Sequence, residues 1–429
     1  MADDQTSQGR NVDATTRQLP RGLVAGALLS VPVAVVLFGS FLLVREVVRV
    51  EPTKAPAVSP TVQSDAGEAT DTRMTQADHG SDASANVAPS TPWLPIDPKR
   101  VVTRIGIGSC LSQRHPQPIW NGVLGLEKQP DLFLMIGDNV YGDIKNTDGR
   151  ELIEAYRAQA AHPEFGVARA ALPMLATWDD HDYGSNDGGA DFAHRELAGD
   201  LFKSFWQVET GRSPDEGIYY SRMLGPEGQR VQLIFLDTRS FRGPLTRKTA
   251  SFPYWGRYAP SVAENQSMLG EQQWAWLAAE LLKPAEIRVI VSSVQVLAEG
   301  HGFERWGNLP KERKRLMQVI SDTAASGVVF VSGDRHAGAL YAQASPLVEL
   351  AGQDDVLVPE LTTSSLNRSY GPSKDAAHPV RVSDIFHQEN FGLIDVDWEA
   401  RRVTLSLRDM VGEALSEETF SFRQLGVGQ

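Results

Sequence analysis

The chain of 429 residues has a single cysteine, Cys110, so no disulfide can join two points within it. It has no basic surplus. Lys and Arg number 41 against 54 Asp and Glu, a net charge of -13. A nucleic-acid binder presents a basic patch or stripe, and the sequence offers no such surface. An acidic chain repels anions at long range, so chemistry on an anionic ligand would need local cations. There is no Gly-x-Ser-x-Gly elbow, no Walker loop, no dinucleotide fingerprint and no internal repeat. A serine nucleophile, a P-loop and a Rossmann site are left without their usual marks.

One long uncharged run is present, Gly22–Val44. Its 23 residues are enough to cross a bilayer core of about 30 Å at ~1.5 Å per residue. "VREVVRV" follows it in place of a small-residue cleavage site, and the run is long for a signal-peptide core. It reads as an uncleaved transmembrane anchor after a polar tail, residues 1–21. Arg10, Arg17 and Arg21 precede the run; Arg45, Arg49 and Lys54 follow it, so the flanking cations leave the orientation open. Residues 45–95 are dominated by Pro, Ala, Ser, Thr and Asp. Such a stretch buries too little apolar surface to offset its ordering entropy and reads as a disordered linker. Residues 96–429 have globular composition and form the expected catalytic domain.

Inside that domain, short apolar runs end abruptly in polar residues. "VVTRIGIGSC" ends at Cys110, "DLFLMIGD" at Asp138 with Tyr141 soon after, and "PMLATWDDHD" at Asp179–Asp182. "VQLIFLDTR" ends at Asp237 and Arg239, "IRVIVSSVQ" at Gln295, and "GVVFVSGDRH" at Asp334 and His336. Apolar runs this short, bounded by Gly or polar residues, suit strands buried on both faces. Helical patterns lie between several of them: "GRELIEAYRAQAA", "HRELAGDLFKSFWQV", "EQQWAWLAAELL" and "ERKRLMQVISDTAA". Alternating strand and helix predict an α/β fold, in which ligands bind beyond the carboxyl ends of the strands. The tail from Phe391 alternates and carries turn residues, and predicts a closing antiparallel meander.

Carboxylates gathered at one point need a multivalent cation or heavy solvation. Asp, His, Cys thiolate and Tyr phenolate are all metal ligands when deprotonated, and this mixed set favours a transition metal. Leftover carboxylates suit a harder ion such as Ca²⁺. Each motif alone also has a plain structural reading. "GDNVYGD" is a turn after a strand, Asp334 can pair with Arg335, Asp237 can pair with Arg239 or Arg242, and a lone Cys is more often inert. Together they point to a metal site. Arg239 is a candidate phosphate contact through its fork of donors. The loop 243–265 carries Arg247, Lys248 and Arg257 among aromatics; it reads equally as an anion attractor or a solvated surface.

"GSC", "GDNVY", "WDDHD", "LDTR", "SSVQ" and "GDRH", in this order and spacing, resemble the PhoD-like alkaline phosphatases of the calcineurin-like metallophosphoesterase superfamily. The resemblance covers about residues 100–412. It implies a four-layer αββα sandwich, ferric iron with calcium (other divalent metals also fit), and hydrolysis of phosphodiesters and phosphomonoesters. By motif matching it implies metal ligation by Cys110, Asp138, Tyr141, Asp180, Asp334 and His336. It implies catalysis by His181, oriented by Asp182 or a backbone group. Asn186 and Gln295 match as ligands or substrate contacts. Many members carry an N-terminal β-sandwich domain, for which residues 45–95 are too short and too polar. Many are exported by a twin-arginine signal, and no such pair precedes the apolar run.

The expectation is therefore a single-pass, membrane-anchored phosphoester hydrolase with its catalytic domain on the extracytoplasmic side. Its substrate would be a small-molecule, lipid or polymer phosphoester. Two alternatives stand beside it: a phospholipid-cleaving phosphodiesterase, and a noncatalytic, calcium-stabilised binding protein tethered at the membrane.

Overall fold

A computed structural model describes residues 87–90, 92–348 and 355–428. Among them no helix is long and apolar enough to cross a membrane. The apolar run 22–44 lies outside the described residues, as does most of 45–95. Trp93 belongs to the folded unit. Its ring stacks on Trp206 with centroids 4.8 Å apart, and its Nε1 donates to the Phe205 carbonyl at 2.8 Å.

All six apolar runs are strands, and they fall into two sheets rather than one. The first sheet has the order β12-β11-β10-β1-β2-β3. Its parallel half is β1 (Arg104–Gly108), β2 (Leu132–Ile136) and β3 (Met174–Thr177). Its antiparallel half is the predicted meander, β10 (Asn390–Asp397), β11 (Arg402–Asp409) and β12 (Ala414–Ser421). The second sheet has the order β4-β5-β6-β7-β9-β8. At its centre β5 (Val231–Phe235), β6 (Ile287–Val291) and β7 (Val328–Ser332) run parallel. β4 (Tyr220–Leu224), β8 (Ala339–Ala344) and β9 (Leu357–Thr362) complete it.

Side-chain alternation decides the layering. Leu233, Phe235, Val289, Val291, Val329 and Val331 share one core with Leu393, Leu405 and Leu407 of the first sheet. The intervening Ile234, Ile290 and Phe330 belong to a second core. That core is closed by Trp274, Leu277 and Leu281 of one helix (Gly270–Leu281) and by Leu316 and Ile320 of another (Pro310–Asp322). Strands whose two faces are both apolar need cover on both sides. On the far face of the first sheet, Trp120 of the helix Ile119–Leu124 meets Phe133 edge to face at 5.1 Å. Helices Arg150–Ala160, Pro163–Ala171 and Arg195–Trp206 bring Tyr156, Phe165, Phe202 and Phe205 into the same core. The layer order is helix, sheet, sheet, helix.

The start of the first sheet is pinned by Asp131. Its Oδ2 accepts from Thr103 N at 2.7 Å, Arg104 N at 3.0 Å and Thr103 Oγ1 at 3.1 Å. Its Oδ1 pairs with Arg100 at 2.5 Å. Burial alone would raise this carboxyl, but the two backbone donors and Arg100 outweigh it and hold it below the usual carboxylate value. A carboxylate with a depressed folded pKa stabilises the fold above its unfolded pKa, and that contribution is lost as pH falls. Asp131→Asn is therefore expected to cost about 2 kcal/mol at pH 7 in urea denaturation. The gap from the parent chain should narrow as pH falls through the carboxylate range.

Candidate active site

The ends of β1, β2 and β3 of the first sheet and of β7 of the second converge beside one cleft. The approach is close, and two glycines permit it. A Cβ on Gly137, which has φ 112°, would lie 2.5 Å from Asp179 Cβ; one on Gly333 would lie 2.5 Å from Ser109 Oγ. Immediately after the strands, Cys110, Asp138, Asp334 and His336 all take positive φ, between 50° and 66°. Non-glycine residues rarely adopt this region, and it is held only where surrounding structure fixes it. Here the turn contacts are Cys110 N to Gly137 O at 3.2 Å and Leu111 N to Asp138 O at 2.8 Å. His336 N donates to Ser364 Oγ at 2.7 Å.

The first cluster is mixed in chemistry. One ligand atom each from Cys110, Asp138 and His336 lies within 4.8 Å of the other two. Tyr141 joins it, its hydroxyl donating to Asp138 Oδ2 at 3.2 Å. Burial pushes the Cys110 thiol and the Tyr141 phenol well up, with the Asp138 charge adding to both. Burial and then the neighbouring Asp180 raise Asp138 as well. Burial holds His336 down at about 4, so its imidazole is neutral. Its Nδ1 donates to the Arg368 carbonyl, which leaves Nε2 as the lone-pair nitrogen.

The second cluster is all carboxylate: Asp180, Glu304 and Asp334, again within 4.8 Å. Burial, then Asp179 and Asp180, raise Asp334 well above the usual range. Asp180 keeps one buried oxygen, Oδ1, without a hydrogen-bond donor; its Oδ2 accepts from Asp187 N at 2.8 Å. Buried acids driven up by one another, beside an orphaned carboxylate oxygen, fit multivalent cations, which reverse this pKa pattern. Thiol, phenol and imidazole around Asp138 suit a transition metal, and the carboxylate trio suits a harder ion.

His181 stands between the clusters, in a one-turn helix Asp180–Tyr183 that follows β3. Its Nδ1 is bonded to Asp143 Oδ1 at 2.9 Å, and its Nε2 lies 4.0 Å from Asp180 Oδ1. Burial would lower its pKa, but Asp180, Asp138 and Asp143 outweigh that and raise it to about 11. Asp143, not Asp182, orients the ring. Asp182 instead faces backbone, accepting from Asp179 N at 2.5 Å, Asp138 N at 3.3 Å and Asn139 N at 3.2 Å. Its task is to hold two strand ends together.

Arg239 does not reach the cleft. It is fully buried, and its guanidinium is committed to Asp179 through Nε at 2.8 Å and through NH2, and to Glu304 at 2.7 Å. Arg242 Nε lies 2.8 Å from the other Glu304 oxygen, although its N–H is not aligned as a hydrogen bond. Asp237 pairs with neither arginine side chain. It caps backbone, accepting from Arg239 N at 3.0 Å and Ser240 N at 2.9 Å, and it receives Trp178 Nε1 at 3.0 Å. Gln295 also stands apart from both clusters. Its amide donates to Tyr341 Oη and Thr362 Oγ1 and faces His301 Nε2.

The cleft has a volume of about 320 Å³ and is floored by Asp138, Asp180, His181, Asp334 and His336. Asn186 lies on its wall. The loop 243–265 forms part of the wall through Trp255, Arg257 and Tyr258. His387, outside every motif singled out above, lines it too. Glu304 had no signal to find it by, since no apolar run ends there. Asp143 was visible in "GDNVYGD" but had no assigned partner.

A family model described as PhoD-like phosphatase matches residues 109–407. The chain belongs to the PhoD-like phosphatase family. The matched span contains every ligand of both clusters in this PhoD-like chain, together with Asp143 and His181. Alkaline phosphatase D of Bacillus subtilis (strain 168) is 23% identical over 250 residues, covering 48% of this chain and 41% of that protein. The match thus spans less than half the length of that relative. A solved structure of PhoD superposes with a TM-score of 0.59 at 16% identity, covering 76% of this chain and 70% of the other. At that identity the likeness supports a metallophosphoesterase-type α/β fold.

If Arg239 is a buried counter-charge, Arg239→Ala leaves Asp179 and Glu304 uncompensated. Chemical denaturation should show a loss of about 3–5 kcal/mol. A variant of unchanged stability that loses only substrate affinity would return Arg239 to the cleft.

Proposed function

We propose that this PhoD-like chain is a metal-dependent phosphoester hydrolase acting on phosphodiesters and phosphomonoesters. The observation that carries it is the run of ligand-competent groups joined through Asp138 and Asp180, with the half-buried His181 held by Asp143 beside them at one cleft. Cys110, Asp138, Tyr141 and His336 would hold the softer ion, for which ferric iron is the proposal. Asp180, Glu304 and Asp334 would hold the harder one, for which Ca²⁺ is the proposal. When bound, such ions polarise phosphoryl oxygens, activate water and neutralise developing charge.

The chain's own residues supply the rest. Asp143 holds the His181 ring through Nδ1, which leaves Nε2 facing the cleft; in the protonated ring that nitrogen carries a proton. That proton is available to the leaving ester oxygen as the P–O bond breaks. Arg257, on the cleft wall with its side chain 57% exposed, is paired with Asp187 at 3.2 Å and would turn to an anionic ester that enters. Asn186, on the cleft wall, would contact the ester. Arg239 acts at a distance, holding Asp179 and Glu304 so that the carboxylates beside them stay in place.

His181→Ala should lower kcat by about 10²–10⁴ on phosphodiester substrates, the range for a general acid. Asp143→Asn should lower it less, about tenfold, with metal content unchanged by elemental analysis. A chelator should abolish turnover while circular dichroism shows the fold intact. Protein that binds calcium and turns over no phosphoester would favour the noncatalytic binding reading.

The proposed setting is a membrane surface, with the catalytic domain on the extracytoplasmic side. What supports it is the uncharged run Gly22–Val44. Deleting residues 22–44 should move activity from the membrane pellet to the supernatant; activity that stays soluble in both forms would refute the anchor.

A further inference from the structure

Two aromatic rings among the described residues are openly exposed, Trp255 at 44% and Tyr370 at 53%, and both line the cleft. A single exposed aromatic needs no explanation. Two on the walls of one acidic, metal-competent cleft, with no others elsewhere among the described residues, do. Their neighbours differ. Tyr370 stacks over the His336 ring at 4.1 Å and 31°, beside the thiol-containing cluster. Trp255 meets Phe303 edge to face at 4.7 Å, and Phe303 precedes Glu304 of the carboxylate cluster. The cleft floor therefore has an open ring near each cluster.

Trp255 is also held still. Gly302 N donates to the Trp255 carbonyl at 2.6 Å, and Arg257 N donates to the Gly302 carbonyl at 2.7 Å. Gly256, at φ 133°, bridges Gly302 so closely that a Cβ would lie 2.2 Å from the Gly302 carbonyl carbon. Behind it, Phe303 is backed by the Arg335 guanidinium at 4.5 Å, and Arg335 is fixed by Asp375 at 3.0 Å. An exposed ring on a braced backbone loses little freedom when a flat group settles on it, so contact area converts efficiently into affinity.

We infer that the cleft selects phosphodiesters with a planar ring on one ester arm, a nucleoside or an aryl group, and that Trp255 is the platform on which that ring stacks. The inference rests on the phosphoester hydrolase reading and adds the substrate class. Aliphatic arms such as glycerol present no flat face to Trp255 and gain nothing from it.

The test compares kcat/KM of the full chain for a dinucleoside phosphodiester and for glycerophosphoglycerol. The parent chain should prefer the dinucleoside. Trp255→Ala should lower the ratio of the two by about tenfold, within the range of a base–aromatic stack. Trp255→Phe, which keeps a ring, should restore most of it. A ratio unmoved by Trp255→Ala, or a parent chain that prefers glycerophosphoglycerol, overturns the inference while leaving the hydrolase reading standing. No hydrolysis of either diester overturns both.

Discussion

The site depends on one buried counter-charge. Asp138, Asp179, Asp180, Asp182, Asp334 and Glu304 crowd into a small volume with little water to solvate them. Like charges so close cannot all remain ionised without compensation. Within the chain, Arg239 provides it. Its guanidinium joins Asp179, which follows β3 of the first sheet, to Glu304, on the loop after β6 of the second. It is a clamp across the sheet interface as well as an electrostatic offset. Asp180 shows its reach, since His181 and Arg239 together overcome burial and hold that carboxyl down at about 2. Asp179 is pushed up to about 6, burial outweighing its direct contact with Arg239.

The fold around this clamp was legible because its strands are short, apolar and cleanly bounded. A parallel strand covered on both faces leaves a continuous apolar run, and all six such runs are strands. The four helical patterns match helices to within a few residues, for a reason of the same kind: each buries one stripe against a sheet. Division of the runs between two sheets was not visible in the pattern and came only through the family resemblance. β8, β9 and the helices Ile119–Leu124 and Pro163–Ala171 lack a clear period, being short or interrupted by Pro and Gly.

Site residues divide along the same line. Those at strand ends, Cys110, Asp138, Asp180, Asp334 and His336, announced themselves by position, and the structure gathers them. The misplaced ones share another property. Arg239, Asp182 and Gln295 also follow strands, but their side chains point into the protein and satisfy buried polar groups. Sequence position gives the edge a residue reaches; it does not say on which side of the backbone its side chain lies. Glu304 and the aromatic wall come from loops braced by backbone hydrogen bonds, and such bonds leave no residue-type signature.

Four residues that would touch or flank the metals, Cys110, Asp138, Asp334 and His336, hold a backbone shape that suits glycine or asparagine better. On the metal reading proposed above, a glycine or asparagine at one of these turns would relax the backbone and remove a candidate ligand in the same step. A descendant of this chain that had lost its chemistry would keep its two sheets and its arginine clamp. Its loss would be recorded first as glycine or asparagine at these four turns.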